Sequence, residues 1–488
     1  MNAKKAMLAE IVGETNVVED PVTGGGFSSS FPPKPPMRPH FMVKPKSVDE
    51  VQKIVLWANR TNTPLIPMSS GAPHFLGTAP TAPESAIVDL GGMDGILKID
   101  RRHRLAVIEP GVTYSQLLPE LRKRGLRINM PLMPRRNKSV IASLLEREPV
   151  MSPRYHWNLA EPLRSLEIVW GNGDKLYSGN GVFRGKEAGD WEEGLVPLVG
   201  PGPGQQLDFY KFVSAAQGSM GMVTWASVKC EVLPEVRKLL VVPAAKLVDL
   251  IDFTYKLLKF RFGDELFLMN GAGLASLLAR TADRIETLKA LLPPWAAIVG
   301  VTGGQILAKE KVEAEESDLR DIAQQFALSL VPDVPGCRSD ELLRLLLEPC
   351  EEPYWKVRYK GNAEELFFLT TLDRTPEFVT AMSSFANEHR YPASDIGIYI
   401  QPAHQGVTCH CEFLLPVDRE DALEVETVRE LFRDASFALF RRGAFFSRPY
   451  GIWAEMVYNS DAMTRAATRR VKKIFDPKNV MNPGKLCF

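Results

Sequence analysis

Apolar positions recur at helical spacing in "KSVDEVQKIVLWANRTNTP", where Val51, Ile54, Val55 and Ala58 share one face. Ser47, followed three residues on by Glu50, sets a capping box at its start. The predicted helix runs into a short apolar strand, Leu65 and Ile66, which empties into a turn of Ser, Gly, Ala and Pro. Beyond it, "SAIVDLGGMDGILKID" and "LAVIEPGVTYSQLLPEL" predict strand, turn, strand, turn and helix. "LRSLEIVWGNGDKLYSG" predicts a hairpin with Asn172-Gly173 in its turn. "FYKFVSAAQGSMGMVTWASVKCEVLP" predicts a helix, a Gly-broken turn and a long strand ending near Pro234. From about Glu235 to Arg433, strands such as "AAIVGVTGG" mix with helices such as "VEAEESDLRDIAQQFALSL", the pattern of a second domain inserted within the first. The tail "SDAMTRAATRRVKKIF" puts Met463, Ala466, Ala467, Val471, Ile474 and Phe475 on one predicted helical face and stops at Asp476-Pro477. Gly24 to Pro39, rich in Gly, Ser and Pro, reads as an irregular arm.

Composition narrows the classes of function. The 488 residues suffice for two or three domains with sizeable cores. Lys+Arg and Asp+Glu both number 59, so no net field favours nucleic acid or an anionic membrane. Six cysteines in so long a chain are not a disulfide framework, and no CxxC pair appears. The N-terminal stretch has no apolar core of signal-peptide length, and no run is long enough to span a bilayer. A soluble cytoplasmic protein is the expectation, with no nucleic-acid or membrane partner.

The small-residue turn "PLIPMSSGAPHFLGTAP" carries the first chemical signal. Successive main-chain N–H groups in such a turn form a nest for anions, phosphate above all. No G-x-x-x-x-G-K-[ST] occurs, which excludes a standard P-loop. "GPGPG" (Gly200 to Gly204) has prolines where donors are needed, and "NGAGLAS" lacks the third glycine and the early βαβ setting of a dinucleotide fingerprint.

In their order along the chain, these segments resemble the vanillyl-alcohol oxidase/p-cresol methylhydroxylase superfamily of FAD flavoproteins. The resemblance rests on "VKPKSVDEVQKIVLWANRTNTPLIPMSSG", "AIVDLGGMDGILKID" and "AVIEPGVTYSQLLPELRKRGL", then "SVIASLLEREPVMSPRYHWNLAEPLRSLEIVWGNGDKLYSG", "FVSAAQGSMGMVTWASVKCEVLP" and "FDPKNVMNPGKL". It implies an α+β fold in which a two-lobed FAD-binding PCMH-type domain (1–235) carries an inserted substrate (cap) domain of antiparallel sheet plus helices (236–435). A C-terminal segment (436–488) returns to the FAD domain. Carried over, it places Pro67, Met68, Ser69, Ser70, Gly71 and Ala72 around the pyrophosphate, and Pro110, Gly111, Ser139, Ala142 and Ser143 against flavin or phosphates. Glu146 is read as a structural partner. Gln217, Gly218, Ser219, Gly221 and Val223 form the second contact, with Gly221 letting the chain pass close to the cofactor. Asn482 and Lys485 come from the closing signature. Two serines stand where relatives often have glycines. His74 lies beyond the site of covalent attachment in some members, so dissociable FAD is expected.

Candidate chemistry lies in the inserted region and the tail. If Val407 to Phe413 is extended, Val407, Cys409, Cys411 and Phe413 share an apolar face, and Thr408, His410 and Glu412 the other. His410 beside Glu412 suits an oriented base or two metal ligands, with His404 a third member; the hydroxy-acid branch's metal context is missing, and no metal is expected. "YWKVRYKG" and "FFSRPYGIWAEMVY" add Arg358, Tyr359, Arg448 and Tyr450, Arg beside Tyr being suited to a carboxylate or phenolate. The expected activity is FAD-dependent removal of hydride from an alcohol or benzylic C–H, a phenolic or aromatic alcohol being favoured. Alternatives are a 2-hydroxy-acid dehydrogenase and a flavin relay subunit working with a partner. The expected partners are a small-molecule substrate, an electron-acceptor protein where oxygen is not the acceptor, and further copies of the chain in a homo-oligomer.

Overall fold

Four short strands open the chain: β1 (Val17–Glu19), β2 (Phe41–Val43), β3 (Leu65–Met68) and β4 (Ala86–Asp89), side by side as β1-β2-β4-β3. The computed structural model describes residues 3–21, 37–72, 76–153, 162–178 and 209–488. The arm up to Pro36, His74, Phe75, residues 154–157 and Gly200–Gly204 lie outside these. Both β2 and β3 run parallel to β4, which demands crossovers, and α1 (Val48–Thr61) links β2 to β3. Ser47 Oγ accepts the Glu50 N–H at 3.3 Å, but the Glu50 carboxylate reaches back to the Lys46 N–H, one residue short of a full box. Val51, Ile54, Val55 and Ala58 are fully buried. The outer edge of β3 is clasped by the C-terminal segment: Leu65 N–H donates to Val480 O, and Asn482 N–H to Leu65 O. The strand's far end, where the small-residue turn begins, is left open.

The second sheet is antiparallel, with β5 (Ile96–Asp100), β6 (Leu105–Ile108), β7 (Leu163–Trp170), β8 (Lys175–Tyr177) and β9 (Gly221–Lys229) ordered β5-β6-β9-β7-β8. The β7–β8 hairpin turns at Asn172 and Gly173, the latter at φ +92°. Between β6 and β7 lie α2 (Tyr114–Lys123), closed by a reciprocal Thr113–Gln116 box, and the short α3 (Val140–Leu145), capped by Ser139.

All strands of the six-stranded sheet fall between Val236 and Val417: β10 (Val236–Ala244), β11 (Glu265–Asn270), β12 (Trp295–Gly303), β13 (Asn362–Thr370), β14 (Gly397–Ala403) and β15 (Thr408–Val417). Their order is β10-β12-β11-β14-β15-β13, antiparallel throughout. "NGAGLAS" forms a helix that Asn270 caps, and Gly273 packs close to Gly397 of β14. Cys409, Cys411 and Phe413 are buried against Leu366, Phe368 and the outer helices, while Val407 falls in the preceding turn and is exposed. The six cysteines are free and buried.

The tail helix α4 (Ala462–Phe475) presents a different face from the predicted one. Met463 and Ile474 are exposed, and Lys472 is buried. Its ammonium is bonded to Asp476, to Met481 O at 2.8 Å and to Ser219 O, and this desolvated cluster sets the rotation in place of the apolar stripe.

Candidate active site

Three segments converge on one cleft. Pro67 and Met68 of β3 with Ser69 after it, Ile141, Ala142 and Leu145 of α3, and Gln217 and Gly218 before β9 with Gly221 and Val223 in it line it around a cavity of about 120 Å³. Gly218 sits at φ +67°, with Pro67 Cγ 3.0 Å from where a Cβ would be. At Gly221, which lines the cleft, that atom would meet Val169 O of β7 at 2.6 Å. Gly111 lies outside the lining and is tighter: a Cβ would stand 2.5 Å from Gly91 O and 2.7 Å from Met93 O, both main-chain atoms. Gly111→Ala is expected to cost about 1–3 kcal/mol of stability and to lower FAD content; thermal melts with and without added FAD measure both.

The turn after β3 holds donors ready. The N–H groups of Ser69, Ser70 and Ala72 make no hydrogen bond with a described residue, whereas that of Gly71 is spent on Asn137 O at 2.9 Å. Ser139 N–H to Ser70 Oγ, Asn137 Nδ2 to Ala72 O and Arg135 to Gly71 O fix the turn. Free amides of small residues beside an arginine suit a diphosphate. Asn482, almost fully buried, donates to Gly77 O and Gln217 O on two segments around the cleft, while its Oδ1 makes no hydrogen bond with a described residue. An orphaned buried acceptor there calls for an N–H-bearing ligand. The residues fit FAD.

Other residues carried over from the resemblance make hydrogen bonds within the chain. Ser139 Oγ caps α3 and donates to Pro110 O. Ser143 Oγ donates to Glu148 and receives Tyr114 OH, and Ser219 Oγ bonds Ala216 O. Lys485, pushed down to about 8 by burial, donates to Ala79 O.

A second space of about 110 Å³ shares Glu146, Arg448 and Tyr450 with the cleft. Strand register builds its far wall. Phe367 of β13, Glu412 of β15 and Tyr399 of β14 stand directly opposite one another across three neighbouring strands, and Glu365 sits two positions along from Phe367. Tyr354, Trp355 and Lys356 join from a single turn of tight helix, and Trp453 from the tail.

Two lysines organise its charge. Lys138 Nζ lies 2.6 Å from Glu146 Oε2 and 2.8 Å from Glu148 Oε1; Lys356 Nζ lies 2.6 Å from Glu365 Oε2 and 2.5 Å from Glu412 Oε1. Burial pushes every one of these carboxyls up. Lys138 and the Ser143 hydroxyl outweigh it at Glu148, and Lys356 and His410 at Glu412, holding each at about 2. Glu146 and Glu365, each beside a second carboxylate, remain above the usual range. Burial keeps His410 below its ordinary value despite the pull of Glu412, so neutral Nε2–H donates to Glu412 Oε2 at 3.2 Å.

Of the residues expected to carry chemistry, Arg448, Tyr450 and Glu412 line the cavity. His410 does not: it stands behind Glu412, between the rings of Phe367 and Tyr399. Arg358 and Tyr359 are elsewhere. The Arg358 guanidinium binds the carbonyls of Pro353, Leu277 and Ala279, and Tyr359 OH binds Glu286 and Lys289. The same run, "YWKVRYKG", supplies Tyr354 and Lys356 instead because Trp355–Val357 is helical, not extended. Among the described residues no group of three His, Cys, Asp or Glu is placed to hold a metal, and no helix is long and apolar enough to cross a membrane.

A turn of free main-chain amides on one lobe, an aromatic cavity under the six-stranded sheet and a wall shared between them suit an FAD-linked oxidoreductase. The family described as FAD binding domain matches residues 39–174, and that described as FAD linked oxidases, C-terminal domain, matches residues 451–486. Glycolate oxidase subunit GlcD of Bacillus subtilis is 21% identical, over 99% of this chain and 96% of that protein. The fold is that of 4-ethylphenol oxidase from Gulosibacter chungangensis (TM-score 0.81, 19% identity, 99% of this chain and 96% of that one) and of p-cresol methylhydroxylase (TM-score 0.80, 17% identity, 100% and 96%). The chain carries the FAD-binding domain and the C-terminal domain of FAD linked oxidases, on the fold of these two structures.

Proposed function

We propose that this enzyme oxidises an aromatic alcohol or phenol at its benzylic carbon. One observation carries the reading. Arg448, in the wall common to cleft and cavity, forms no ion pair or side-chain hydrogen bond with a described residue, and its guanidinium lies 3.9 Å from the centre of the Phe367 ring. A half-buried guanidinium with its donors free is an anchor for an oxyanion. The Tyr450 hydroxyl, equally without a described hydrogen-bond partner, adds a donor beside it, and burial keeps that phenol protonated. Tyr354, Trp355, Phe367, Tyr399 and Trp453 offer flat faces to a ring held behind the reacting carbon. FAD bound in the cleft supplies a ring that accepts hydride. Arg448 and Tyr450 orient the substrate oxygen, and the packed aromatic wall excludes water.

A second reading is oxidation of a 2-hydroxy acid. Arg448 together with Arg135 and Lys138 would suit a carboxylate, and the resemblance to a glycolate oxidase subunit spans nearly the whole chain. Anaerobic titration separates the two. Benzylic alcohols and 4-alkylphenols are expected to bleach the flavin, with glycolate and D-lactate slow; the reverse order overturns the aromatic reading. Bleaching by neither class, with reduction only through another protein, identifies a relay subunit. Readmitting air then shows whether oxygen or a protein takes the electrons. No described histidine lines the cleft, and we expect dissociable FAD: acid precipitation should leave a colourless pellet, and a yellow one reveals a covalent bond.

A further inference from the structure

Glu146 is the one carboxylate in the wall shared by the cleft and the cavity. It ends α3 as the C-cap, its own N–H tied to Ala142 O, so its backbone is fixed. Its neighbour Glu148 has both oxygens committed, one to Lys138 and the other to Ser143, which is held in turn by Tyr114. Glu146 commits only Oε2, to Lys138. Its Oε1 has no hydrogen bond with a described residue, and the side chain keeps 30% of its surface exposed in a wall where Glu148 keeps 20%. One lysine therefore anchors both carboxylates and leaves a single oxygen free, beside Arg448 and Tyr450.

We propose that Glu146 is the catalytic base, its Oε1 taking the proton of the substrate hydroxyl that Arg448 and Tyr450 orient. The inference rests on the reading of the site given above and covers its benzylic alcohols as well as hydroxy acids, since both present a CH–OH group, but not 4-alkylphenols. The O–H bond breaks with its proton going to Oε1, the C–H bond breaks with its electron pair leaving as hydride to FAD, and a C=O bond forms. Lys138 then faces a neutral acid on one side and an ionised Glu148 on the other, so its charge stays paired. Burial and the nearby Glu148 raise Glu146 above the ordinary carboxylate range, against the opposing pull of Lys138 and Arg448, which brings it closer to neutral pH as a base requires. Lys138, Glu148 and Arg135 from its own segment, Arg448 and Tyr450 from the tail, Tyr354 and Lys356 from the tight helical turn, and Glu365, Tyr399 and Glu412 from the six-stranded sheet are the titratable and charged groups around this space.

The test is Glu146→Gln in the FAD-loaded enzyme, followed by stopped flow. Bleaching by the best substrate is expected to slow by about 10²- to 10⁴-fold, and the fall of the wild-type rate toward acid pH is expected to vanish from the variant. Glu146→Asp should keep the acid limb with a smaller loss. A glutamine variant that bleaches at the wild-type rate, or that keeps the acid limb, overturns the proposal. A readout independent of turnover is the colour of bound 4-nitrophenol. Beside an ionised Glu146 it should turn to phenolate at a higher pH in the wild type than in Glu146→Gln; coincident titrations overturn the placement of Oε1. Failure of every substrate to bleach the wild-type flavin would sink the reading of the site, while the 4-nitrophenol titration still decides the placement.

Discussion

Arg448→Met is expected to slow substrate-driven bleaching by on the order of 10²- to 10³-fold, the loss typical of removing a donor aimed at developing negative charge. Methionine keeps an unbranched apolar stem but withdraws the guanidinium that faces Phe367, and with it the charge and every N–H. FAD content should hold, because the free amides that suit a diphosphate, those of Ser69, Ser70 and Ala72, belong to the turn after β3 and do not involve this side chain. The pH profile supplies an independent sign. Arg448 pulls both Glu146 and Glu365 downward, so its loss lets both rise further and moves the acid limb of the rate to higher pH. Arg448→Lys should recover only part of the rate, since a point charge cannot present the forked donors of a guanidinium. Normal bleaching by Arg448→Met, with an unmoved acid limb, would show that the substrate oxygen is anchored elsewhere.

The sequence makes the FAD lobe legible because its signals are local. A cap, an apolar stripe and a small-residue turn lie within one short window around α1 and β3, and each element forms there. Strand alternation around Cys409 to Phe413 is legible for the same reason, and it separates the core thiols from the Glu412 face. What stays hidden depends on partners far along the chain. Glu365 and Lys356 are unremarkable in sequence, and only the pairing of β13 with β15 brings Glu365 and Glu412 onto one lysine. His410 looked like the reacting group because alternation reports a face but not depth; the row holding Phe367, Glu412 and Tyr399 covers it. Arg358 is a cation two of whose carbonyl partners, Leu277 and Ala279, come from a helix end far upstream, a role that no local pattern announces. Glu146 was legible as a structural partner of its own segment, yet its free oxygen emerges only where the tail brings in Arg448.

Lys356→Met is expected to destabilise the fold by about 3–5 kcal/mol near neutral pH, as breaking a buried ion pair from one side does. Lys356 is nearly buried, and its removal leaves Glu365 and Glu412 facing each other with Glu412 almost fully enclosed. In the wild type the Glu412 carboxyl is held at about 2, below its unfolded value, so its contribution is present above the ordinary carboxylate range and lost as pH falls toward 2. In the variant the sign reverses. Burial then raises Glu412 above its unfolded value, and stability is lost as pH rises through that raised value. The gap between wild type and variant should therefore be wide near pH 7 and narrow near about pH 3, a shape that a simple packing defect does not produce. His410 is the neighbour able to soften the loss: by taking a proton it can donate to Glu412 as a cation. Lys356→Met/His410→Phe removes that outlet, and urea melts across pH should show the double variant losing more than the sum of the two single changes. A gap independent of pH would mean that Lys356 acts through the packing of its aliphatic stem rather than through its charge.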